Sequence, residues 1–322
     1  YNPPHLNPII NKASMKRTFH GTGVPTPETY TIVDEPGQLD TAAEIIRSRD
    51  EFVIKPDSGY GGEGIIVVTG RTDDGTRFET SNGEMAPAEL RSHLRSILEG
   101  QYTRMGLEGI GIIEELVHPD DSLQGISGQG VPDIRVIVFQ GFPIMSMTRL
   151  PTEESNGVAN LHLGAVGVGL ATADWSAMGG YQSTNRWFDT HPDTGADLTE
   201  FVVPEWTNIL ETAVRAAEVS RLGYVGVDIV IDERHGPLVL EVNARPGLGI
   251  QNSTFDGLLD RLEFIESLSD EYELKPPAEK VRLAQQWDRD QWTTPSTRPT
   301  EQSTSESMST PIDGTSSDGG SD

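Results

Sequence analysis

Cysteine is absent from all 322 residues, which excludes disulfides, thiolate zinc sites and cysteine nucleophiles. No stretch approaches 18 consecutive apolar residues, so none reads as a membrane-spanning helix. Positive charge is scarce: 24 Lys+Arg face 50 Asp+Glu, a net charge of −26. Such a surface repels a phosphate backbone, so no nucleic-acid partner is expected. Only five of the cations are lysine. Acid excess with so little lysine resembles proteins of cells that keep molar salt in the cytoplasm, and a cytoplasmic, halophilic setting is the expectation. The seven histidines stand apart, without metalloprotease spacing. The chain begins at Tyr1 rather than Met and is read as a segment of a longer product, so a missing signal peptide says nothing.

What is present is an alternation of helical and strand patterns, long enough for one large or two medium domains. Tyr1–Pro8 reads as an extended lead-in. Asn11–Gly21 and Gly37–Arg49 have helical spacing, and Thr29–Val33, Phe52–Pro56 and Ile65–Thr69 are strand-like. A polar hairpin is predicted over Arg71–Pro87, a helix over Pro87–Gly100 and a strand over Ile110–Val117. His118–Pro132 reads as a loop. Ile134–Phe139 and Pro143–Leu150 form a hairpin joined by QGFP, and Thr152–Leu170 looks irregular. Amphipathic helices are expected over Pro204–Leu222 and around Phe255–Leu268. After Pro276 the composition turns polar, and from Thr293 it offers too little apolar area to offset chain entropy.

Chemistry concentrates in YVGVDIVIDERHGPLVLEVNARPGLGI, residues 224–250. It reads as strands Val225–Asp232 and Pro237–Asn243 around a turn at Glu233–Gly236. If Asp232 pairs with Pro237, Asp228 lies opposite Glu241, and Asn243 shares the face of Glu241. Facing carboxylates need a cation between them. Oxygen ligands of this kind suit Mg²⁺ or Mn²⁺. The alternatives are neutralisation by Arg245, or a register one residue off.

FVIKPDSGYGGEGIIVV, residues 52–68, carries Gly59-x-Gly61-x-x-Gly64 between two strands. A dinucleotide fingerprint needs a helix after the last glycine, and a P-loop needs Lys-Ser/Thr. A glycine flap between strands can instead cover phosphates, with Lys55 at its mouth; the plainer reading is an ordinary Gly-rich hairpin. IIEELV, residues 112–117, offers an edge to adenine or merely an exposed acid. Arg135 and Arg149 end apolar strands and can meet phosphate or a carboxylate, or form salt bridges.

Taken in order, a Lys-bearing helix, IKP with its flap, EELV, DIR, NLHLG, GVD and LEVNARPG resemble the ATP-grasp superfamily, and within it the α-L-glutamate ligase-like proteins of the ribosomal-protein-modifying branch. The resemblance covers roughly Asn11 to Leu268. It implies an α+β ATP-grasp fold, two subdomains with antiparallel sheets clasping ATP. The small lid subdomain would run over 11–113 and the large metal-bearing one over 114–275, after a lead-in (1–10) and before a disordered acidic tail (276–322). It implies that Lys12 and Lys55 contact phosphates under a lid that includes Ser58, Gly59, Tyr60, Gly61 and Gly62. Glu114, Glu115, Leu116 and Val117 would hold adenine, with Asp133 near the ribose and Arg135 toward the nucleotide. Arg149 and Asn160 would face the γ-phosphate, and Asp228, Glu241 and Asn243 would hold Mg²⁺ or Mn²⁺.

The activity implied is ATP-dependent carboxylate–amine ligation through an acyl phosphate. The substrates would be an amino acid, glutamate favoured, and an amine acceptor, a protein or peptide included. An ATP-grasp kinase, or a nucleotide-binding module without turnover, is the alternative. Two departures stand out: Asn11 precedes the first lysine where Asp is usual, and Leu163 replaces the Arg of NLHRGG. Arg245 is the candidate to replace that cation or to bind the substrate carboxylate.

Overall fold

The computed structural model describes residues 2, 11–58, 62–103, 108–183 and 185–291. Most of the lead-in, Gly59, Tyr60 and Gly61 of the flap, and the chain after Gln291 lie outside these residues. Two antiparallel sheets carry the architecture. The first is built from β1 (Thr29–Val33), β2 (Phe52–Pro56), β3 (Ile66–Arg71), β4 (Phe78–Thr80), β5 (Gly83–Met85) and β6 (Gly111–Glu114), in the order β1-β6-β2-β3-β4-β5. Helices α2 (Leu39–Ser48) and α3 (Pro87–Leu98) bury Leu39, Ala42, Ile46, Leu90, Leu94 and Ile97 against it, the i, i+3/i+4 faces expected of amphipathic helices.

The second sheet has seven strands, ordered β11-β10-β9-β8-β7-β12-β13. They are β7 (Asp133–Phe139), β8 (Phe142–Leu150), β9 (Val166–Leu170), β10 (Ala177–Gln182), β11 (Arg186–Phe188), β12 (Tyr224–Asp232) and β13 (Gly236–Asn243). Its alternation sorts residues cleanly between two faces. Ile134, Val136, Val138, Val225, Val227 and Ile229 enter the core under α5 (Trp206–Ser220). Ile137, Phe139 and Met147 point the other way, into the cluster with Ile250, Leu258 and Ile265. There α6 (Gly249–Thr254) lies directly on β9: a Cβ on Gly169 would sit 2.3 Å from Ser253 O, so only glycine permits the approach. The tight turn of β7–β8 places Gln140 and Gly141 at φ 48° and 82°, the left-handed pair a two-residue hairpin requires.

Several expectations need correction. Residues 118–132 are not all loop: α4 (Asp121–Ser127) is capped by Asp120, which accepts from Ser122 N, and buries Leu123 and Ile126. The stretch read as irregular ends in strand β9. The first helix, α1 (Lys12–Phe19), was grouped with the small subdomain, yet Met15 and Phe19 pack in the core of the large sheet. The tail read as disordered from 276 begins with a helix, α8 (Pro277–Gln291). Buried charges hold it: Asp288, 0% exposed, pairs with Arg261 at 2.8 Å and accepts from Ala173 N at 2.9 Å, while Lys280 meets Glu218 at 2.6 Å. A further helix, α7 (Leu259–Glu266), supplies Arg261. Among the described residues no helix is long and apolar enough to cross a membrane.

Candidate active site

The β12–β13 hairpin brings Asp228 opposite Glu241, as the sequence suggests, but by a different route. Asp232 pairs with Gly236 rather than Pro237, and the ladder shifts by one between Asp228 and Ile229. Leu240 is the extra residue, a β-bulge. It lets Val239 and Val242, three apart, both enter the core, and it returns Glu241 and Asn243 to the face of Asp228. The same face receives Asp133 and Arg135 from β7, and Arg149 from β8 opposite Asp133.

These side chains interlock. Arg135 Nε and Nη2 donate to the two oxygens of Asp228 at 2.7 and 2.6 Å. Arg149 Nε donates to Asp133 Oδ1 at 2.7 Å, its Nη2 to Asp133 Oδ2, and the same Nη2 to Asp228 Oδ2 at 2.9 Å. Asn243 Nδ2 lies 3.4 Å from Asp228 Oδ2. The salt-bridge alternative for both arginines is therefore the arrangement seen. The neutralising partners of Asp228 are Arg135 and Arg149 rather than Arg245, which is exposed and makes no ion pair among the described residues. Burial opposes ionisation of both acids, but they part. Asp133 is pushed up to about 6, its burial and the neighbouring Asp228 outweighing Arg149. Against the same burial, Arg135 and Arg149 hold Asp228 down to about 2.

Glu241 is half-buried and has no hydrogen-bond or ion partner among the described residues. Together with Asp228 opposite and the Asn243 amide beside it, this is an all-oxygen donor set of the kind a small hard cation takes. Among the described residues no group of three or more His, Cys, Asp or Glu is gathered for a metal, so the set is complete only with the amide. Its chemistry fits Mg²⁺.

A second cluster forms at the base of the flap. Asn11 caps α1, accepting from Ser14 N at 2.8 Å, and the helix N-terminus docks on Asp57, whose Oδ1 accepts from Ala13 N at 2.6 Å. Lys12 Nζ reaches Asp57 O at 3.5 Å, two residues from Lys55. Lys55 pairs with the buried Glu114, whose other oxygen lies 2.9 Å from Lys16 Nζ. Burial lowers the pKa of Lys16, and although burial resists it, Lys55 and Lys16 keep Glu114 low. The Glu114 side chain is thus turned to lysines, and Lys16, which with Lys12 and Lys55 stands where a phosphate-binding reading of the sequence wants a lysine, is a buried part of the cluster. Its core-facing spacing with Ala13 and Phe19 is the signal that marks it.

Other candidates are dispersed. Ser58 is exposed, its Oγ donating to Asp57 Oδ2 at 3.2 Å. Gly62, at φ 85°, approaches Val158 of the 152–165 loop. Asn160 caps the short turn Leu161–Leu163 by accepting from His162 N at 3.0 Å, and no hydrogen bond ties it to the Asp228 cluster. Glu115 pairs with Arg234 and His235, while Leu116 and Val117 are half-buried in the link between the sheets.

The family model for sugar-transfer associated ATP-grasp proteins matches residues 1–267. A probable alpha-L-glutamate ligase of Maridesulfovibrio salexigens is 32% identical over 168 residues, 52% of this chain and 40% of that protein. One of Vibrio atlanticus is 29% identical over 181 residues, 55% of this chain and 51% of that protein. The chain spans about half the length, or less, of these curated relatives. Among solved structures, a D-cycloserine synthetase is similar with a TM-score of 0.45 and 15% identity, covering 87% of this chain and 73% of that one.

Proposed function

Because the chain belongs to the sugar-transfer associated ATP-grasp family, we propose that it is an ATP- and Mg²⁺-dependent carboxylate–amine ligase. The observation that carries this reading is a pair of charge clusters of unlike chemistry: lysines gathered beside the glycine flap, and oxygen ligands with two arginines on the neighbouring strands β7, β8, β12 and β13. Lys12 and Lys55 bind the polyphosphate as point charges, and the flap from Ser58 to Gly62 covers it. The backbone of Glu114–Val117 holds the base, and Asp133 lies toward the ribose. Asp228, Glu241 and Asn243 hold Mg²⁺, which supplies charge neutralisation at the phosphates when bound.

Arg149 and Arg135 orient the γ-phosphoryl group. The substrate carboxylate attacks γ-phosphorus, the bond to the β-phosphate oxygen breaks, and ADP leaves. An amine then adds to the acyl phosphate, loses a proton and expels phosphate, leaving an amide. The chain needs no activated nucleophile for this. Positioning, exclusion of water by the flap and charge complementarity suffice. Glutamate, by the names of the relatives, is the amino acid to try first, with a protein or peptide amine as acceptor. The acidic surface suits a cytoplasm rich in salt.

Two observations favour a module that binds nucleotide without turnover: Asp228 gives both oxygens to arginines, and Leu163 stands where the ligases place a cation. ADP release in high salt with Mg²⁺, assayed across amino acids and followed by the product mass, separates the two. Tight ATP binding with no ADP release under any amino acid rejects the ligase.

A further inference from the structure

The segment linking the two sheets, residues 115–120, is fastened to the tip of the β12–β13 hairpin. Asp232 Oδ2 accepts from His118 N at 2.8 Å, and its Oδ1 accepts from Arg234 N and His235 N at 2.9 and 3.0 Å. Asp120 N donates to Ile231 O and Glu233 N to His118 O, each at 2.8 Å. From this anchored tip Arg234 reaches back across the junction. Its Nη2 donates to Leu116 O at 3.2 Å and lies 3.3 Å from Glu115 Oε1, while Nη1 is 3.6 Å from Glu51 Oε1. His235 Nε2 sits 3.0 Å from the same Glu115 oxygen. On the other side Glu115 N donates to Glu28 O at 2.8 Å.

These contacts leave a particular remainder. The N–H groups of Leu116 and Val117 and the carbonyl of Val117 have no partner among the described residues, although the segment is half-buried. Half-buried backbone donors and an acceptor in a row call for a partner of their own, and the edge of a planar base supplies alternating groups of that kind. A backbone so used must be held still, because its selectivity rests on tenths of an ångström.

We propose that Arg234 is a positioning residue for nucleotide recognition. By holding Leu116 O and Glu115 from the hairpin that also carries Asp228 and Glu241, it fixes the base-reading backbone relative to the phosphate-binding end. The proposal rests on the ATP-binding reading above. A lysine cannot replace it, since one ammonium does not span Leu116 O, Glu115 and Glu51 together.

The test uses the full chain and the variants Arg234→Gln, Arg234→Lys and Glu115→Gln, with ATP and inorganic triphosphate as probes. Expected for Arg234→Gln is about fivefold weaker ATP binding, a modest effect because the guanidinium is partly exposed, with triphosphate binding unchanged. Arg234→Lys should recover little of it, and amide exchange at Glu115 and His118, whose N–H groups are bonded to Glu28 O and Asp232 Oδ2, should quicken in the ligand-free variants. Equal weakening of ATP and triphosphate, unchanged ATP affinity, or unchanged exchange at Glu115 and His118 overturns the proposal. A wild-type chain that binds triphosphate and ATP equally also overturns it, while a wild-type chain that binds neither defeats the ligase reading first and this one with it.

Discussion

The two charge clusters solve one problem with opposite signs. Beside the flap, Lys55 of the six-stranded sheet and Lys16 of α1, both buried, share a single acid, Glu114 of β6, leaving one positive charge over. On the seven-stranded sheet, Arg135 and Arg149 face Asp133, Asp228 and Glu241, leaving one negative charge over. Buried charge is tolerated only when matched, so each residual charge marks where a ligand of the opposite sign is favoured. On the proposed ligase reading the lysine side takes a polyphosphate and the carboxylate side a cation, the two ends of a metal nucleotide. Chemistry also differs between them: ammonium point charges gather around one carboxylate on the lysine side, and planar guanidiniums clamp two carboxylates on the other.

The comparison breaks most visibly at Asp228. An Asp228→Asn variant leaves Arg135 with no full counter-charge in a buried site, and a loss of about 3–5 kcal/mol is expected. Urea unfolding measures it, and Mg²⁺-dependent ADP release should disappear with it. An unchanged midpoint would mean that the arginine network contributes nothing.

The next effect concerns pH. Asp133 has a folded pKa near 6, above its usual 3.8. A raised acid pKa disfavours the fold once the group must ionise, so its contribution is complete below about 3.8 and is lost as pH rises through 6. Asp228, held to about 2, works in the other sense: its contribution is present above 3.8 and is lost as pH falls through 2. Relative to an Asp133→Asn variant, the wild type should therefore lose up to ~3 kcal/mol between pH 4 and pH 6. Parallel stability curves for the two proteins over that range would refute the assignment.

The lysine side should yield differently. Lys16→Met leaves Glu114 paired with Lys55, a balanced pair with no residual charge. Stability should change by less than ~1 kcal/mol, whereas triphosphate affinity should fall by about three- to tenfold. Calorimetric titration reads the second quantity. A stability loss without an affinity loss would reverse the roles given to the two clusters.

Most of this architecture was legible in strands whose burial alternates or runs unbroken. Thr29–Val33 and Phe52–Pro56 have the bounds that their composition suggests. The Asp228–Glu241 pairing was legible too, but only because an error in the turn and an unforeseen bulge at Leu240 cancel. A bulge leaves no local signature here, since Leu-Val-Leu reads equally well as regular strand. The helix α8 escaped for another reason. Its apolar contribution is Val281, Leu283, Ala284 and Trp287, and the rest of its docking is by Lys280, Gln285 and Asp288, which a composition argument counts as solvent-facing. Arg135 and Arg149 could be placed on strands from sequence, but which acid each would meet depended on strand order, which no periodicity reveals.

The smallest expected change in stability tests a cation that follows the metal-ligand strand but belongs to neither cluster. Arg245 follows β13 at the carboxylate end, is exposed, and is bound by none of the described acids. An exposed side chain without partners contributes little to the fold, so Arg245→Ala should shift stability by less than ~0.5 kcal/mol. Arg135 and Arg149 are paired with Asp228 and Asp133, and Leu163 supplies no charge. A substrate carboxylate arriving at this end therefore has Arg245 as its available counter-ion. The variant should raise KM for the amino acid while leaving ATP affinity alone, a split that steady-state ADP release resolves. Should KM for the amino acid stay unchanged, the carboxylate is held elsewhere, and the residual negative charge of this end is matched by the metal alone.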